Sequence, residues 1–347
     1  MQNSKRIAAN TILLYSRMLV LMVINLITVR VVLLALGVED YGIYNAVAGV
    51  VTMMSCVSSV LSNATQRFYS VQIGQNSNEG LARVFSVSLD VYIILIICIL
   101  IFAESLGLWF VNNRLVIPQD RVVAANWTFQ FSILTFIVTI LPMPYLSAIL
   151  AHEKMGAYSL FTTCEYVIKL LFALLLAKLK GDVLIYYAVF QFLAQILLML
   201  SYIIYGSGQF QECHYSPFKR DVMHKEILSF SGWTLFGSVA GIGMNQVMTI
   251  LYNIFFGPIV TGARAISLQL NSALTSFSNS FIVAIRPPMI KSYSEGNDNY
   301  LLKLFNMGNK FIFYSLIIIS VPLMLEMDVV LKIWLKVTDP MTIKYSQ

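Results

Sequence analysis

The stretch "VINLITVRVVLLALGVEDYG", residues 23–42, contains the end of a long apolar run and the short connection "GVEDYG" that follows it. An apolar run of about 20 residues can cross the roughly 30 Å hydrocarbon core of a bilayer as a helix. This run nevertheless carries Arg17 and Arg30, and a charge at the bilayer centre costs roughly 2.5–3.5 kcal/mol on insertion scales. The stretch therefore predicts a membrane-spanning helix whose arginines need an explanation.

Similar apolar runs recur along the whole chain. Hydrophobic residues make up 58% of the sequence and charged residues 12%, and the mean hydropathy is +0.75, whereas soluble domains have about 25% charged residues. The sequence predicts an all-α, polytopic integral membrane protein with about nine transmembrane helices. The predicted spans are residues 11–36, 41–64, 86–111, 122–149, 159–178, 183–205, 228–256, 259–285 and 308–325.

The distribution of Lys and Arg predicts the orientation. The 206–226 connection contains Lys219, Arg220 and Lys225, whereas the connections "GVEDYG" and "FGPIV" contain no Lys or Arg. Because cytoplasmic connections are enriched in basic residues, we predict a cytoplasmic N-terminus. The net charge of +6 then reflects topology, and no basic stripe interleaved with aromatic residues indicates a nucleic-acid partner.

The sequence contains no pattern that indicates an enzyme or a cofactor. The four cysteines are far apart in sequence and the three histidines lack ligand spacing, so neither a metal site nor a disulfide framework is predicted. Phosphate-binding GxxxxGK[ST], metal-binding HExxH and nucleophile GxSxG motifs are missing from the sequence. We therefore expect a transporter that uses no cofactor.

A shift of 220 residues brings two segments of the chain into register. "LARVF" at 81–85 then meets "LLKLF" at 301–305, and the apolar spans of the two segments also align. The matched single residues are Asn25 with Asn245, Gly37 with Gly257, and Gly42 with Gly262. Six predicted spans lie between the copies, so both copies enter the membrane from the same side. Such parallel repeats relate two lobes by an axis along the membrane normal.

The repeat predicts an N-terminal six-helix lobe, residues 1–220, and a partial C-terminal lobe of about three helices, residues 221–347. Two facing lobes with a binding site between them suit alternating access. The second copy is about ninety residues shorter than the first, so a C-terminally truncated chain is expected. An asymmetric nine-span protein is the alternative.

Polar residues inside the spans are the candidate binding residues. Such residues face other helices or a hydrated cavity rather than lipid, and guanidinium groups bind phosphate oxygens in pairs. We predict a cationic, substrate-binding cavity between the lobes that suits an anionic ligand such as a phosphate or diphosphate. Its candidate residues are Arg17, Asn25, Arg30, Asn245, Arg264 and Asn271. Alternatively, the arginines snorkel to the membrane surface and the smaller polar residues hold helices together.

Glu165 and Lys169 are four residues apart in the fifth span, so they share one helix face. The spacing predicts either a neutralising ion pair or a proton or cation relay.

Several stretches resemble one known family. These are "LGVEDYGIYNAVAGVV" at 36–51, "SNATQRFYS" at 62–70, "AANWTFQFSILTF" at 124–136 and "AILAHEKMGAY" at 148–158. They resemble Wzx-type polysaccharide (O-antigen or lipid-linked oligosaccharide) flippases. This family belongs to the multidrug/oligosaccharidyl-lipid/polysaccharide superfamily, which also contains the MATE exporters.

The resemblance implies that the chain turns a polyprenyl-diphosphate-linked oligosaccharide from the cytoplasmic to the outer leaflet of the bacterial inner membrane. It implies membrane lipid and a polysaccharide polymerase as partners, in the biosynthesis of O-antigen or capsule. Cavity arginines of the family would correspond here to Arg17, Arg30 and Arg264. The family has more spans than this sequence, which leaves an inactive truncated remnant as an alternative.

Two other function classes are less well supported by the residues. A MATE-like, ion-coupled exporter of cationic drugs would need an unpaired acidic residue deep in the first or seventh span, and neither span contains one. A membrane enzyme, such as a polysaccharide polymerase, would need a large extracytoplasmic loop or an acidic cytosolic motif. The longest predicted connections are cytoplasmic and lack such a motif.

Overall fold

The computed structural model describes residues 2–52, 55–75, 77–152, 154–176, 178–216, 229, 247–272, 274–275 and 298–335. At residues 2–19, 56, 59, 300 and 315 it describes the backbone alone. The candidate residue Asn245 lies outside the described residues, as does the Arg17 side chain.

Nearly all of this described chain is helical, and no strand occurs in it. The helices are α1 Gln2–Thr52, α2 Ser55–Gly74, α3 Asn78–Phe102, α4 Leu108–Asn113, α5 Val122–Ile140, α6 Met143–Ala151, α7 Met155–Leu176, α8 Val183–Gln209, α9 Val247–Ser272, α10 Asp298–Leu325 and α11 Met327–Leu335. A π-helical turn, Ala103–Gly107, joins α3 to α4, and a short 3₁₀ turn, Gln119–Arg121, precedes α5.

Seven helical segments of the described chain are long and apolar enough to cross a membrane. They are Val20–Thr52, Asn78–Asn113, Gln119–Ala151, Met155–Leu176, Val183–Gln209, Val247–Ser272 and Leu301–Leu325. The predicted all-α, polytopic membrane fold is therefore confirmed.

Two of the long helices are broken at glycine. In α1 the break is at Gly37, with φ 79° and ψ 171°, and in α9 it is at Gly257, with φ 81°. Side chains with a Cβ rarely adopt such positive φ values, whereas glycine does so at little cost. We call residues 2–36 α1a, residues 38–52 α1b, residues 247–256 α9a and residues 258–272 α9b. The breaks lie between the first and second and between the seventh and eighth predicted spans.

The segments after the two breaks pack against each other backbone to backbone. A Cβ atom on Gly42 would overlap the carbonyl oxygen of Pro258, and one on Gly262 would overlap the carbonyl oxygen of Val38. These contacts exchange under the 220-residue shift, as an approximate two-fold relation requires. Small residues allow such close helix crossings in membranes. The division into lobes at residue 220 stays a prediction, but α1b and α9b meet as repeat-related partners.

The end of the bundle where Gly37 lies is held by an ion cluster. Arg121, just before α5, bonds both carboxylate oxygens of Asp40 and donates to the Asp182 carboxylate at 3.0 Å. Asp182 also caps α8, because it accepts a hydrogen bond from the Leu184 N–H at 3.1 Å. The cluster therefore fixes the starts of α1b, α5 and α8 at one end, which we call the Gly37 end.

The opposite end of the N-terminal helices has a separate apolar cluster. Tyr69, Phe85 and Ile149 are fully buried there with Cys213, so the 2–3, 4–5 and 6–7 connections of the predicted spans meet at this end. Consecutive spans therefore run in alternating directions.

Candidate functional site

A polar cavity of about 210 Å³ lies between α1, α7 and α8. One wall comes from α9b, which belongs to the predicted C-terminal lobe. The lining residues are Asn25, Thr28, Val29, Val32, Tyr41, Tyr44, Asn45, Tyr166, Lys169, Tyr187, Gln191 and Gln269.

Helical spacing explains why these side chains converge. Asn25, Thr28, Val29 and Val32 lie at intervals of three, one and three residues, which places them on one face of α1a. The lining residues of α1b, α7 and α8 are also three or four positions apart within each helix. The break at Gly37 allows both halves of α1 to turn a polar face towards the same space.

An amide pair links the two predicted lobes at this cavity. The Asn25 Nδ2 group donates to Gln269 Oε1 at 3.0 Å, and the Gln269 side chain also neighbours the hydroxyl of Tyr41. Asn25 lies twelve residues before the break, about 18 Å at 1.5 Å per residue. The link therefore lies well inside a bilayer of roughly 30 Å.

Tyrosines form a second part of the lining. The rings of Tyr44 and Tyr187 have centroids 4.6 Å apart and are tilted by 60°. Asn45 is anchored to this region because its Nδ2 donates to the Tyr41 carbonyl at 2.7 Å. Phenol rings offer both an apolar face and a hydroxyl that donates and accepts, so this wall suits a ligand with mixed surface.

Lys169 places a charged side chain in the lining of the cavity. Its Nζ lies 2.5 Å from Glu165 Oε1 and 5.8 Å from the centroid of the Tyr166 ring. Among the described lining residues, Lys169 is the one with an ionised side chain at neutral pH, and no carboxylate is present. Since Glu165 balances the ammonium charge, the cavity is close to neutral. The geometry forms the ion pair, and a relay role for the two residues stays a prediction.

Three of the other candidate residues, Arg30, Arg264 and Asn271, lie elsewhere. Arg30 and Arg264 are partly buried, but neither lines the cavity. The Arg264 guanidinium carbon lies 5.5 Å from the centroid of the Tyr252 ring, and its buried Nε has no hydrogen-bond partner among the described residues. Asn271 is exposed, and its backbone and side-chain oxygens accept hydrogen bonds from Thr275. Of the six candidate substrate-binding residues, the structure thus places Asn25 at the cavity.

Several cavity residues were missed by the sequence reasoning. Tyr41, Tyr44 and Asn45 share one face immediately after Gly37, and Tyr187 and Gln191 share one face of α8. The 41–45 spacing beside a matched glycine was the available signal. Gln269 carried no local signal.

Further contacts join the predicted lobes close to the Gly37 end. Asn253 is fully buried; its Oδ1 accepts from the Val116 N–H at 2.8 Å, and its Nδ2 donates to the Val116 carbonyl at 3.4 Å. Together with the crossing of Gly42 and Gly262, these bonds close the space between the predicted lobes on that side. Further from this end, near Asn25 of α1a, Trp334 of α11 donates from Nε1 to the Leu26 carbonyl at 2.9 Å.

The opposite end has a hydrogen-bonded cluster of its own. The His152 Nε2 lies 2.6 Å from Glu212 Oε1, and its ring stacks on Phe210 with centroids 4.5 Å apart. Burial, together with the nearby Glu212 carboxylate, raises the pKa of the Cys213 thiol to about 12. Among the described residues, no group of three or more His, Cys, Asp and Glu side chains could hold a metal ion.

The chain has the fold of MATE-family transporters. It superposes with a TM-score of 0.72 and 16% sequence identity on a structure titled "Inward-facing conformation of a multidrug resistance MATE family transporter of the MOP superfamily". The match covers 97% of this chain and 78% of the other. This likeness establishes the fold.

In sequence, the chain is similar to "Uncharacterized membrane protein EpsK" of Bacillus subtilis (strain 168). The two are 20% identical over 300 residues, which are 83% of this chain and 56% of EpsK. The chain thus spans little more than half the length of this curated relative. No family model matches the sequence.

Proposed function

We propose that this chain translocates a polyprenyl-diphosphate-linked oligosaccharide between membrane leaflets by alternating access. The direction is from the cytoplasmic to the outer leaflet of the bacterial inner membrane, in the biosynthesis of O-antigen or capsule. The resemblance of its sequence motifs to Wzx-type flippases supports the substrate. The MATE transporter fold supports a transport mechanism.

The observation that carries the proposal is the chemistry of the cavity. Its described polar lining is made of amides, phenols, one threonine hydroxyl and one ammonium group, with no carboxylate. A buried cationic drug is best balanced by a carboxylate, because an unpaired buried charge is strongly unfavourable, and the phenol rings offer it only the weaker cation–π contact. A neutral or anionic ligand rich in hydrogen-bonding groups has no such need. The lining therefore favours a glycolipid over a cationic drug.

The position of the closing contacts supports alternating access. The bonds of Asn253 to Val116 and the crossing of Gly42 with Gly262 lie near the Gly37 end. With the N-terminus in the cytoplasm, this is the extracytoplasmic side. In that orientation the structure is closed to the outside, and translocation requires these contacts to separate while the lobes close at the other side.

Complementation tests the proposal. The chain is expressed in a bacterium that lacks its own O-antigen flippase, and surface polysaccharide is measured by immunoblot. The variants Arg17→Ala and Arg264→Ala are tested alongside, with an empty vector as the control.

We expect the parent chain to restore surface polysaccharide. Restoration by the parent but by neither variant would support arginines that bind the diphosphate. Restoration by all three would support flippase activity and reject the arginine roles. No restoration by a parent that is present in the membrane would contradict the proposed function for this chain.

A further inference from the structure

We propose that the cavity between α1, α7 and α8 binds one uncharged sugar ring of the lipid-linked substrate, and that the diphosphate binds elsewhere. The inference rests on the proposed function, and it assigns the residues that recognise the sugar. Charge, hydrogen-bonding capacity, aromatic surface and size each support it.

Charge excludes the diphosphate from this cavity. The one described ammonium group in the lining, that of Lys169, is already paired with Glu165 at 2.5 Å. A diphosphate would bring two or more negative charges and would need cations that this lining does not offer. Because the idealised cost of burying an unpaired ion is very large, a neutral group is the favoured occupant.

The hydrogen-bonding groups match vicinal hydroxyls. Asn25, Asn45, Gln191 and Gln269 all line the cavity, and each side-chain amide carries two N–H donors and one acceptor oxygen. The Asn25–Gln269 bond uses one N–H and one lone pair, and Asn45 donates one N–H to the Tyr41 carbonyl. Gln269 and Gln191 also neighbour the hydroxyls of Tyr41 and Tyr187. A side-chain amide has two N–H groups and two lone pairs, so each of the four retains capacity for a ligand. Each sugar hydroxyl donates one hydrogen bond and accepts others, so amides can bridge adjacent hydroxyls on a ring.

The aromatic and aliphatic residues match the rest of a sugar. The C–H face of a pyranose ring is apolar and packs on aromatic rings, and Tyr44, Tyr166 and Tyr187 supply such surfaces. Val29 and Val32 add apolar contact on the α1a side. A lining of amides interspersed with tyrosines thus fits both surfaces of a ring.

The volume sets the number of rings. The cavity has about 210 Å³, less than the roughly 300–1,000 Å³ of pockets that enclose drug-sized ligands. It corresponds to about seven water molecules at roughly 30 Å³ each. One monosaccharide ring is therefore the appropriate size, and further sugars would extend into the space between the lobes.

Gln269 couples the ring to the lobe arrangement. It reaches the cavity from α9b and bonds Asn25 of α1a, so a ring bound here contacts both predicted lobes. We expect this double contact to be lost when the predicted lobes separate at the Gly37 end. A ligand shifts a conformational equilibrium only by its difference in affinity for the two states. Hydrogen bonds from the ring to both Asn25 and Gln269 would supply such a difference in affinity.

Saturation-transfer NMR on the chain in lipid nanodiscs tests the inference. The probes are methyl glycosides of glucose, galactose and N-acetylglucosamine, with inorganic diphosphate as the anionic comparison. The test variant is Gln191→Leu, which removes one amide from the lining. The matched control is Gln195→Leu, one turn further along α8, where the glutamine is buried but does not line the cavity. Tyr187→Phe replaces Gln191→Leu if the latter does not fold.

We expect at least one glycoside to bind and diphosphate not to compete with it. Loss of one buried hydrogen-bonding partner should weaken glycoside binding about tenfold in Gln191→Leu and leave Gln195→Leu within about twofold of the parent. No glycoside binding, equal binding to parent and Gln191→Leu, or displacement by diphosphate would each overturn the inference.

The result separates this inference from the proposed function. A chain that restores surface polysaccharide but shows no glycoside binding at the cavity would be a flippase without this sugar site. A chain that binds glycosides, with the Gln191 dependence, but restores nothing would retain the site and lose the proposed function.

Discussion

Replacing Asn253 with leucine should weaken the closure at the Gly37 end. Asn253 is fully buried and satisfies both backbone groups of Val116, at 2.8 Å and 3.4 Å. Leucine has a similar volume but no hydrogen-bonding atom, so the Asn253→Leu variant removes both bonds to Val116, which is itself 46% exposed. Since Val116 and Asn253 belong to different predicted lobes, this cost falls only on the closed state.

The expected size of the effect follows from the two bonds. Side-chain hydrogen bonds between membrane helices are worth about 0.6 kcal/mol on average and up to about 1.7 kcal/mol, in the same range as the roughly 0.5–1.5 kcal/mol of a typical protein hydrogen bond. The longer bond adds little, so we expect about 0.6–2 kcal/mol in total. At 1.4 kcal/mol per factor of ten, this raises the open-to-closed ratio about threefold to thirtyfold.

Cysteine accessibility measures that ratio. A single cysteine replaces Thr28, which lines the cavity, in a chain whose native cysteines are serine. A membrane-impermeant maleimide is then added from the Gly37 side of oriented vesicles. Asn253→Leu should raise the labelling rate threefold to thirtyfold. The control Asn126→Leu removes a half-buried asparagine that bonds Asn112 within the N-terminal helices and should leave the rate unchanged. An unchanged rate in Asn253→Leu would refute the closing role of this residue.

Three further perturbations follow from the structure. Gly42→Leu should lower the melting temperature and prevent closure, because any Cβ there overlaps the Pro258 carbonyl. The control Gly74→Leu, at an open position, should leave the melting temperature nearly unchanged. Equal melting temperatures in the two variants would contradict the crossing. Glu165→Gln should destabilise the chain by about 1–2 kcal/mol, because it leaves the part-buried Lys169 unpaired. Adding Lys169→Met to the same chain should restore the melting temperature. No restoration would exclude loss of the ion pair as the cause. Burial raises the Cys213 pKa from 9.0 to about 12, so the protonated thiol stabilises the fold below pH 9 and this stability is lost as the pH rises towards about 12. Chemical denaturation should show a steeper loss over this range in the parent than in Cys213→Ala, and parallel curves would contradict the raised pKa.

The membrane fold and both helix breaks follow from local features of the sequence. Apolar runs predict the spans, and Gly37 and Gly257 stand in matched positions 220 residues apart. Glycine adopts a positive φ at little cost, and both residues have one. The breaks are therefore compatible with the local sequence without any contact from distant parts of the chain. The reciprocal crossing of Gly42 and Gly262 follows from the same repeat, although their backbone-to-backbone contact could not be predicted from spacing alone.

The cavity was less predictable, because it depends on which helix faces meet. The ion pair of Glu165 and Lys169 is local, since four residues make one helical turn, and it was predicted as one of two alternatives. The contact of Asn25 with Gln269 joins residues 244 positions apart, and no local pattern specifies it. Tyrosines near the end of a span are typical of membrane interfaces, so Tyr41 and Tyr44 gave no distinct signal for an internal wall.

Arg264 shows how a break changes the surroundings of a charge. In a straight helix, residues twelve apart are separated by about 18 Å. The chain bends at Gly257, and the Arg264 guanidinium carbon lies 5.5 Å from the centroid of the Tyr252 ring. A cation–π contact of this kind stabilises a desolvated guanidinium by about 2 kcal/mol. The sequence predicted Arg264 as a candidate cavity residue and could not predict this partner.

Translocation in a purified system measures whether the chain itself moves a lipid-linked sugar across a membrane. The chain is reconstituted into liposomes that contain a fluorescent polyprenyl-diphosphate disaccharide, and an impermeant quencher reports the fraction in the outer leaflet over time. We expect faster redistribution between leaflets than in protein-free liposomes, with no uptake of a cationic dye. Redistribution no faster than in protein-free liposomes, or transport of the dye instead of the glycolipid, would contradict the proposed function.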